Sequence, residues 1–236
     1  MILLDIVKIK NKVVMKVYYH GTEIERGKNA VNTQILPISY NDDRREQWLG
    51  DGIYFFEYEN DAYWWITKMH AYNIKKGKYS NKCRLFEKFT ILEAEIIWDK
   101  KREFTNFNKE HFQMFEIIQK KCNEKDKNGD TWTEGDVFNL LFYELGYDEI
   151  FDVVRWSFTV RRNRNKDART KHYQQVQICV KNIDIIKNIE ELNKEQEKDF
   201  CENRFLVESK FNTVLKKGIG DKNDKWKKFK GRIKTN

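Results

Sequence analysis

Two short stretches hold side chains whose types and spacing could do chemistry: YYHGT at 18–22 and LGDGIYFFEYENDAYWWI at 49–66. A His at a strand end can donate a hydrogen bond to a ribose hydroxyl. The Gly beside it lets a flat ligand approach the backbone N–H and C=O, and an amide ligand could use both groups at once. A surface His before a turn fits the same residues. In the second stretch, Gly50 and Gly52 flank a tight entry into a strand. Alternation puts Tyr54 and Phe56 on one face of it and Ile53, Phe55 and Glu57 on the other. Aromatic side chains here and in Ala62-Tyr63-Trp64-Trp65 could sandwich a planar ring. Phe55 and Trp65 read instead as core.

The elements that must position these residues are strands and helices without βαβ regularity. Residues 13–20 read as a strand entering His20, and 23–48 as polar and irregular. A short strand follows at 52–56, then a helix capped by Asn60 that runs to about Lys75. Residues 89–98 read as a strand and 108–121 as an amphipathic helix with Phe112, Phe115 and Ile118 on one side. The Thr131 to Glu134 spacing opens a helix that ends at Leu145 before Gly146. Residues 149–160 and 175–181 read as strands, and the chain from about 188 as charged and helical. DKNGDTWTEGDV (126–137) is no calcium loop: its glycine is at position four and its twelfth residue is Val137. There is no G-x-G-x-x-G and no Walker sequence.

Composition narrows the class. The chain has 236 residues, 40% hydrophobic and 14% aromatic, enough for a packed core. No apolar run approaches the length of a membrane span, and MILLDIVKIK alternates like an edge strand rather than a signal peptide. Met15 also reads as an internal start. Cys83, Cys122, Cys179 and Cys201 stand far apart with no C-x-x-C pair, which argues against zinc and a disulfide framework and for a reducing cytoplasm. Of the net charge of +8, residues 216–236 carry +7. Such a tail suits nucleic acid, or is a solvated terminus.

Together the two stretches resemble the ADP-ribosyltransferase superfamily, in its diphtheria-toxin-like and poly(ADP-ribose) polymerase-like branch with a His-Tyr-Glu signature. The residues that carry the resemblance are His20-Gly21-Thr22, Gly50-Asp51-Gly52-Ile53-Tyr54-Phe55 and Ala62-Tyr63-Trp64. The resemblance implies an α+β fold, a split β-sandwich with flanking and inserted helices. It divides the chain into a transferase-like domain over 1–187, with a helical insertion at about 99–148, and a charged extension over 188–236. It implies NAD as substrate and no metal. His20 would bond the ribose, the Gly21 backbone would hold the carboxamide, and Tyr54 and Trp64 would bracket the nicotinamide ring. Thr22 and Gly52 complete the NAD-binding set.

The third motif departs from the pattern. QQVQICVKN (174–182) reads as its strand, with Val176, Ile178 and Val180 facing the core. This puts Gln177, with Gln175 as the register alternative, where the signature has Glu. Glutamine bonds a hydroxyl but is no general base. Glu57 is the candidate replacement, or only a carboxylate at a helix entry. The resemblance implies a mono-ADP-ribosyltransferase of toxin–antitoxin or phage-defence type, with a neutralising antitoxin or chaperone as partner and no membrane. Between 161 and 172 lie six cations, among them Arg161, Arg162, Arg164 and Arg169, and one Asp. They suit a phosphate-bearing acceptor, with single-stranded RNA the leading choice. A protein acceptor, or a catalytically inactive NAD- or ADP-ribose-binding module, are the competing readings. Neutralising Arg161, Arg162 and Arg164 together is expected to flatten the salt dependence of RNA binding, measured by titration at several ionic strengths; an unchanged slope removes the loop from the acceptor site.

Overall fold

The protein is represented by a computed structural model that describes residues 13–41, 46–125, 132–161 and 172–192. Its order of elements is mixed α+β: β1 (Val13–Glu23), α1 (Ile24–Thr33), β2 (Ile53–Phe56), α2 (Glu59–Lys75), β3 (Phe89–Asp99), β4 (Glu103–Thr105), α3 (Lys109–Lys125), α4 (Glu134–Asn139), β5 (Val153–Arg161), β6 (His172–Val180) and β7 (Ile186–Glu191). Among the described residues the strands form one seven-stranded sheet, ordered β4-β5-β6-β2-β1-β3-β7. Only β4 and β5 pair in parallel; the other neighbours are antiparallel. No helix among the described residues is long and apolar enough to cross a membrane.

Strand alternation gives the sheet two apolar faces, and both are covered. The first carries Tyr18, Phe55, Leu92, Ile96, Ile178 and Val180, with Ala30 of α1 packed among them. The second carries Phe104, Val154, Trp156 and Cys179, roofed by Phe115 of α3 and by Val137 and Phe138 of α4. The β1 end of this second face is covered by α2: a Cβ on Gly21 would stand 2.5 Å from Ile66 Cγ2. Each aromatic ring withdrawn from water here contributes about 1.5–3 kcal/mol.

Several boundaries differ from the sequence reading. β1 runs through His20 to Glu23, so the His lies inside a strand rather than at its end. The stretch taken as irregular holds α1, which buries only Gly27 and Ala30 and so has almost no apolar signal. Tyr58, not Asn60, precedes α2, with no side-chain cap. Thr133 and Asp136 form the capping box of α4, and Thr131 lies outside the described residues. The chain then widens into a π turn, Leu140–Glu144. Residues 186–191 form β7 rather than a helix, because Ile186 and Ile189 pack into the first core, so the sheet continues past residue 187. The region 99–148 is not purely helical, since β4 lies within it. The N-terminal stretch 1–12 and the basic tail lie outside the described residues.

Phe55 is fully buried, as its strand position implies, but Trp65 is 40% exposed and is not core. Phe55→Ala is therefore expected to cost about 3–5 kcal/mol and Trp65→Ala less than half as much, read from urea denaturation. Equal losses would contradict this packing.

Candidate functional site

The site is built on an interruption in the sheet. Ile24 N–H donates to Lys88 O at 3.0 Å, in register with the β1–β3 ladder. Even-numbered residues of β1 therefore turn their backbone groups toward β3. Glu57 N–H donates to Val176 O at 3.4 Å, in register with the β2–β6 ladder, so odd-numbered residues of β2 face β6. Gly21 and Tyr54 must then turn their backbone groups toward the seam between β1 and β2. Among the described residues that seam holds a single pair, Tyr19↔Phe56. Where the next pair would stand, the Tyr54 carbonyl instead accepts from His20 Nδ1 at 2.7 Å.

This bond fixes the imidazole. A carbonyl only accepts, so Nδ1 carries the proton and Nε2 is a lone-pair acceptor. Burial holds His20 below the ordinary histidine range and so favours the neutral ring, against the opposing pull of its bond to Tyr54. In that neutral ring Nε2 can accept a hydrogen bond but not donate one, whereas the sequence reading had His20 as a donor.

On the second face the register brings the other residues together in rows. One row runs Trp156, Gln177, Phe56, Tyr19, and the next runs Val154, Cys179, Tyr54 and, by continuation, Gly21. Tyr54 and Gln177 thus share a face on adjacent strands. Gln177 is buried and its Nε2 donates to Gln175 Oε1 at 3.1 Å. From α2 it is Trp65 that reaches Gly21, its Cδ1 3.3 Å from the Cβ position. Trp65 also lies 6.5 Å from the Phe56 ring. Trp64 points elsewhere and carries Lys68 over its ring at 5.7 Å. The Ala62–Trp65–Ile66 spacing was the sequence signal for this, since i, i+3 and i+4 share a helix face.

Tyr54 is held at its far end. Its hydroxyl donates to Gly50 O at 2.6 Å and accepts from Leu49 N at 2.9 Å. Burial pushes the phenol far above its ordinary range. Gly50 has φ +70° and Gly52 φ +155°; a Cβ on Gly52 would stand 2.3 Å from Cys179 Sγ. Lys181 Nζ donates to Leu49 O at 2.7 Å and also to Asp51 O. Burial holds the Lys181 ammonium below the ordinary lysine range. Sequence reasoning missed Lys181, and no spacing marks it.

Glu57 does not join this group. It lies on the first face, where Lys16 at 2.6 Å and Arg155 at 2.8 Å bind its two carboxylate oxygens. Burial alone would raise its pKa, but these two cations hold it below the ordinary carboxylate range. Thr22 packs beneath α1, its Cγ2 3.3 Å from the Cβ position of Gly27. Near α1, a groove of about 980 Å³ is lined by Arg26, Asn29, Thr33, Ile35, Ser39 and Tyr40. Ser39 exchanges backbone bonds with Gly52 at 2.9 and 3.0 Å, so the groove adjoins the entry to β2. Arg162, Arg164 and Arg169 lie outside the described residues, as does the side chain of Arg161. Among the described residues no three His, Cys, Asp or Glu side chains are grouped to hold a metal.

No family model and no solved structure matches the chain. Over 223 residues it is 31% identical to the uncharacterized protein MJ0359 of Methanocaldococcus jannaschii, a match covering 86% of this chain and 95% of that one.

Because the folded state resists protonating His20, the unfolded chain binds more protons just below pH 6.5 and stability rises with pH through that window. Unfolding free energies from pH 5 to 7.5, expressed as about that range of buffers, should show this slope, and His20→Gln should flatten it. Parallel curves for the two proteins would contradict the buried neutral imidazole.

Proposed function

The chain belongs to the same family as the archaeal protein MJ0359, and we propose that its β1–β2 seam is the NAD site of a mono-ADP-ribosyltransferase. The observation that carries this reading is the open seam itself. Gly21 turns a backbone N–H and C=O toward β2, and no second pair of that ladder is formed. A carboxamide presents one donor and one acceptor, and so replaces the missing ladder partner. Tyr54 and Trp65 flank Gly21 and supply aromatic surface for the pyridine ring. His20 Nε2 accepts from a ribose hydroxyl, and the Gln177 amide bonds another. The groove beside α1 has room for the rest of the dinucleotide. The described strands form one sheet rather than two, and its single β1–β2 pair is the feature that supports the split which the sequence resemblance implies.

In this reading the ribosyl C1′–nitrogen bond breaks and nicotinamide leaves with the electron pair. The acceptor's lone pair then forms the new bond at C1′. The protein contributes by orientation and by fixing the leaving group. With Glu57 tied to Lys16 and Arg155 on the other face, it supplies no base. That favours an acceptor atom that attacks without prior deprotonation, which nucleobase nitrogens and phosphates provide. A nucleic-acid acceptor, single-stranded RNA first, is also the partner that the Arg and Lys residues of 161–172 suit in sequence. A toxin or antiviral role with a neutralising protein partner follows from the same resemblance.

One observation favours a second reading, NAD binding without turnover: Gln177 is engaged by Gln175 and brings no negative charge to the site. Labelled NAD incubated with the protein and a cell extract separates the readings. RNase-sensitive label is expected, and His20→Ala or Tyr54→Ala should each lower transfer at least about tenfold. Protease-sensitive label moves the acceptor to protein. Binding without label supports the inactive module, and undiminished transfer in both variants sinks the site.

A further inference from the structure

The helical segment 133–144 lies within the region of about 99–148 that the sequence reads as a helical insertion. It is built against the turn that holds Tyr54. Asp51 N–H donates to Asn139 Oδ1 at 2.7 Å, and Asn139 Nδ2 donates back to Asp51 Oδ1 at 3.0 Å. Tyr143, one helical turn on, donates its hydroxyl to Asp51 Oδ2 at 3.1 Å. Asn41 joins the same cluster: its N–H donates to Asp51 Oδ1 and its Nδ2 to Asp136 Oδ1, both at 2.7 Å. No space separates helix from turn. A Cβ on Gly50 would stand 2.4 Å from Asn139 Oδ1, and one on Gly135 would stand 2.1 Å from Gln47 O.

The consequence runs through Gly50. The carbonyl that accepts from the Tyr54 hydroxyl belongs to Gly50, which packs on Asn139, and the N–H that donates to that hydroxyl belongs to Leu49. Tyr54 therefore has one end at the seam, beside His20, and the other in a turn whose conformation Asn139 and Tyr143 hold from outside. Tyr143 is 61% exposed, so its hydroxyl adds little to the core while it constrains Asp51.

We propose that Asn139 and Tyr143, acting through Asp51, are positioning residues that hold the Tyr54 ring at the seam and so set the site's affinity for the nicotinamide end of NAD. The affinity half rests on the transferase reading; the positioning half does not. A structural helix would move stability alone. A positioning helix moves ligand affinity in variants whose stability is unchanged.

The test uses the full chain with Asn139→Ala, Tyr143→Phe and the exchange double variant Asp51→Asn/Asn139→Asp. Hydrogen exchange at the Leu49 and Asp51 amides is read beside the KM and kcat for NAD. In Asn139→Ala both amides should exchange at least about tenfold faster while Leu92 in β3 keeps its rate. KM should rise about tenfold with a smaller change in kcat. Tyr143→Phe should raise KM about threefold with an unchanged melting temperature. The double variant should recover part of the loss, because the pair is restored with donor and acceptor reversed. Faster exchange with unchanged KM overturns the proposal, as does unchanged exchange. A wild-type protein that neither binds nor consumes NAD removes the transferase reading, and accelerated exchange in Asn139→Ala then still supports the positioning of Tyr54.

Discussion

The rest of the site depends on one unmade backbone ladder. β1 and β2 lie side by side, yet their pairing stops after Tyr19↔Phe56. A buried carbonyl left without a donor costs about 1–3 kcal/mol. The sheet avoids this at Tyr54 by using a side chain, the His20 ring, in place of a main-chain N–H. With that substitution the β1–β2 ladder forms no pair at Gly21 and Tyr54. The same bond also sets the tautomer of His20.

The residues around this seam are closely packed and hydrogen-bonded. Gly21 has no room for a side chain, with Ile66 and Trp65 packed where a Cβ would be. Tyr54 is bonded at its hydroxyl to the Leu49–Gly50 segment, and that segment is gripped by Lys181 and backed by α4. Gln177 brings no charge to the site, and the charged groups near the Tyr54 hydroxyl, Asp51 and Lys181, are tied into the turn at 49–52. The nearest strand carboxylate, Glu57, is drawn to the first face by two cations. A ligand in such a site is held by shape and hydrogen bonding more than by charge, and the proposed transfer would draw on orientation.

Much of this was legible in the sequence. The alternation in Ile53–Glu57 and in Val176–Val180 gave the correct faces, because a two-residue period is set by the strand itself. Gly50 and Gly52 marked a tight entry, and both have positive φ. What was not legible depends on contacts between distant segments. Trp65 read as core because its apolar character was visible and its place beside Gly21 was not. α1 holds few apolar residues, Ile24, Ala30 and Val31, so its polar remainder reads as a loop. Asn139 and Lys181 look like ordinary polar residues until the turn at Gly50–Gly52 is folded against them. Glu57 read as available because nothing local announces Lys16, 41 residues away, or Arg155, 98 residues away.

In the proposed site, Gly21 offers the backbone of an unpaired ladder to a carboxamide. A crystal structure of the protein with NAD, or with nicotinamide alone, tests it most directly. The account predicts the carboxamide within hydrogen-bonding distance of the Gly21 N–H and C=O, with the ring between Tyr54 and Trp65. A ligand seated elsewhere, or a seam closed by β1–β2 pairing at Gly21 and Tyr54, would contradict it.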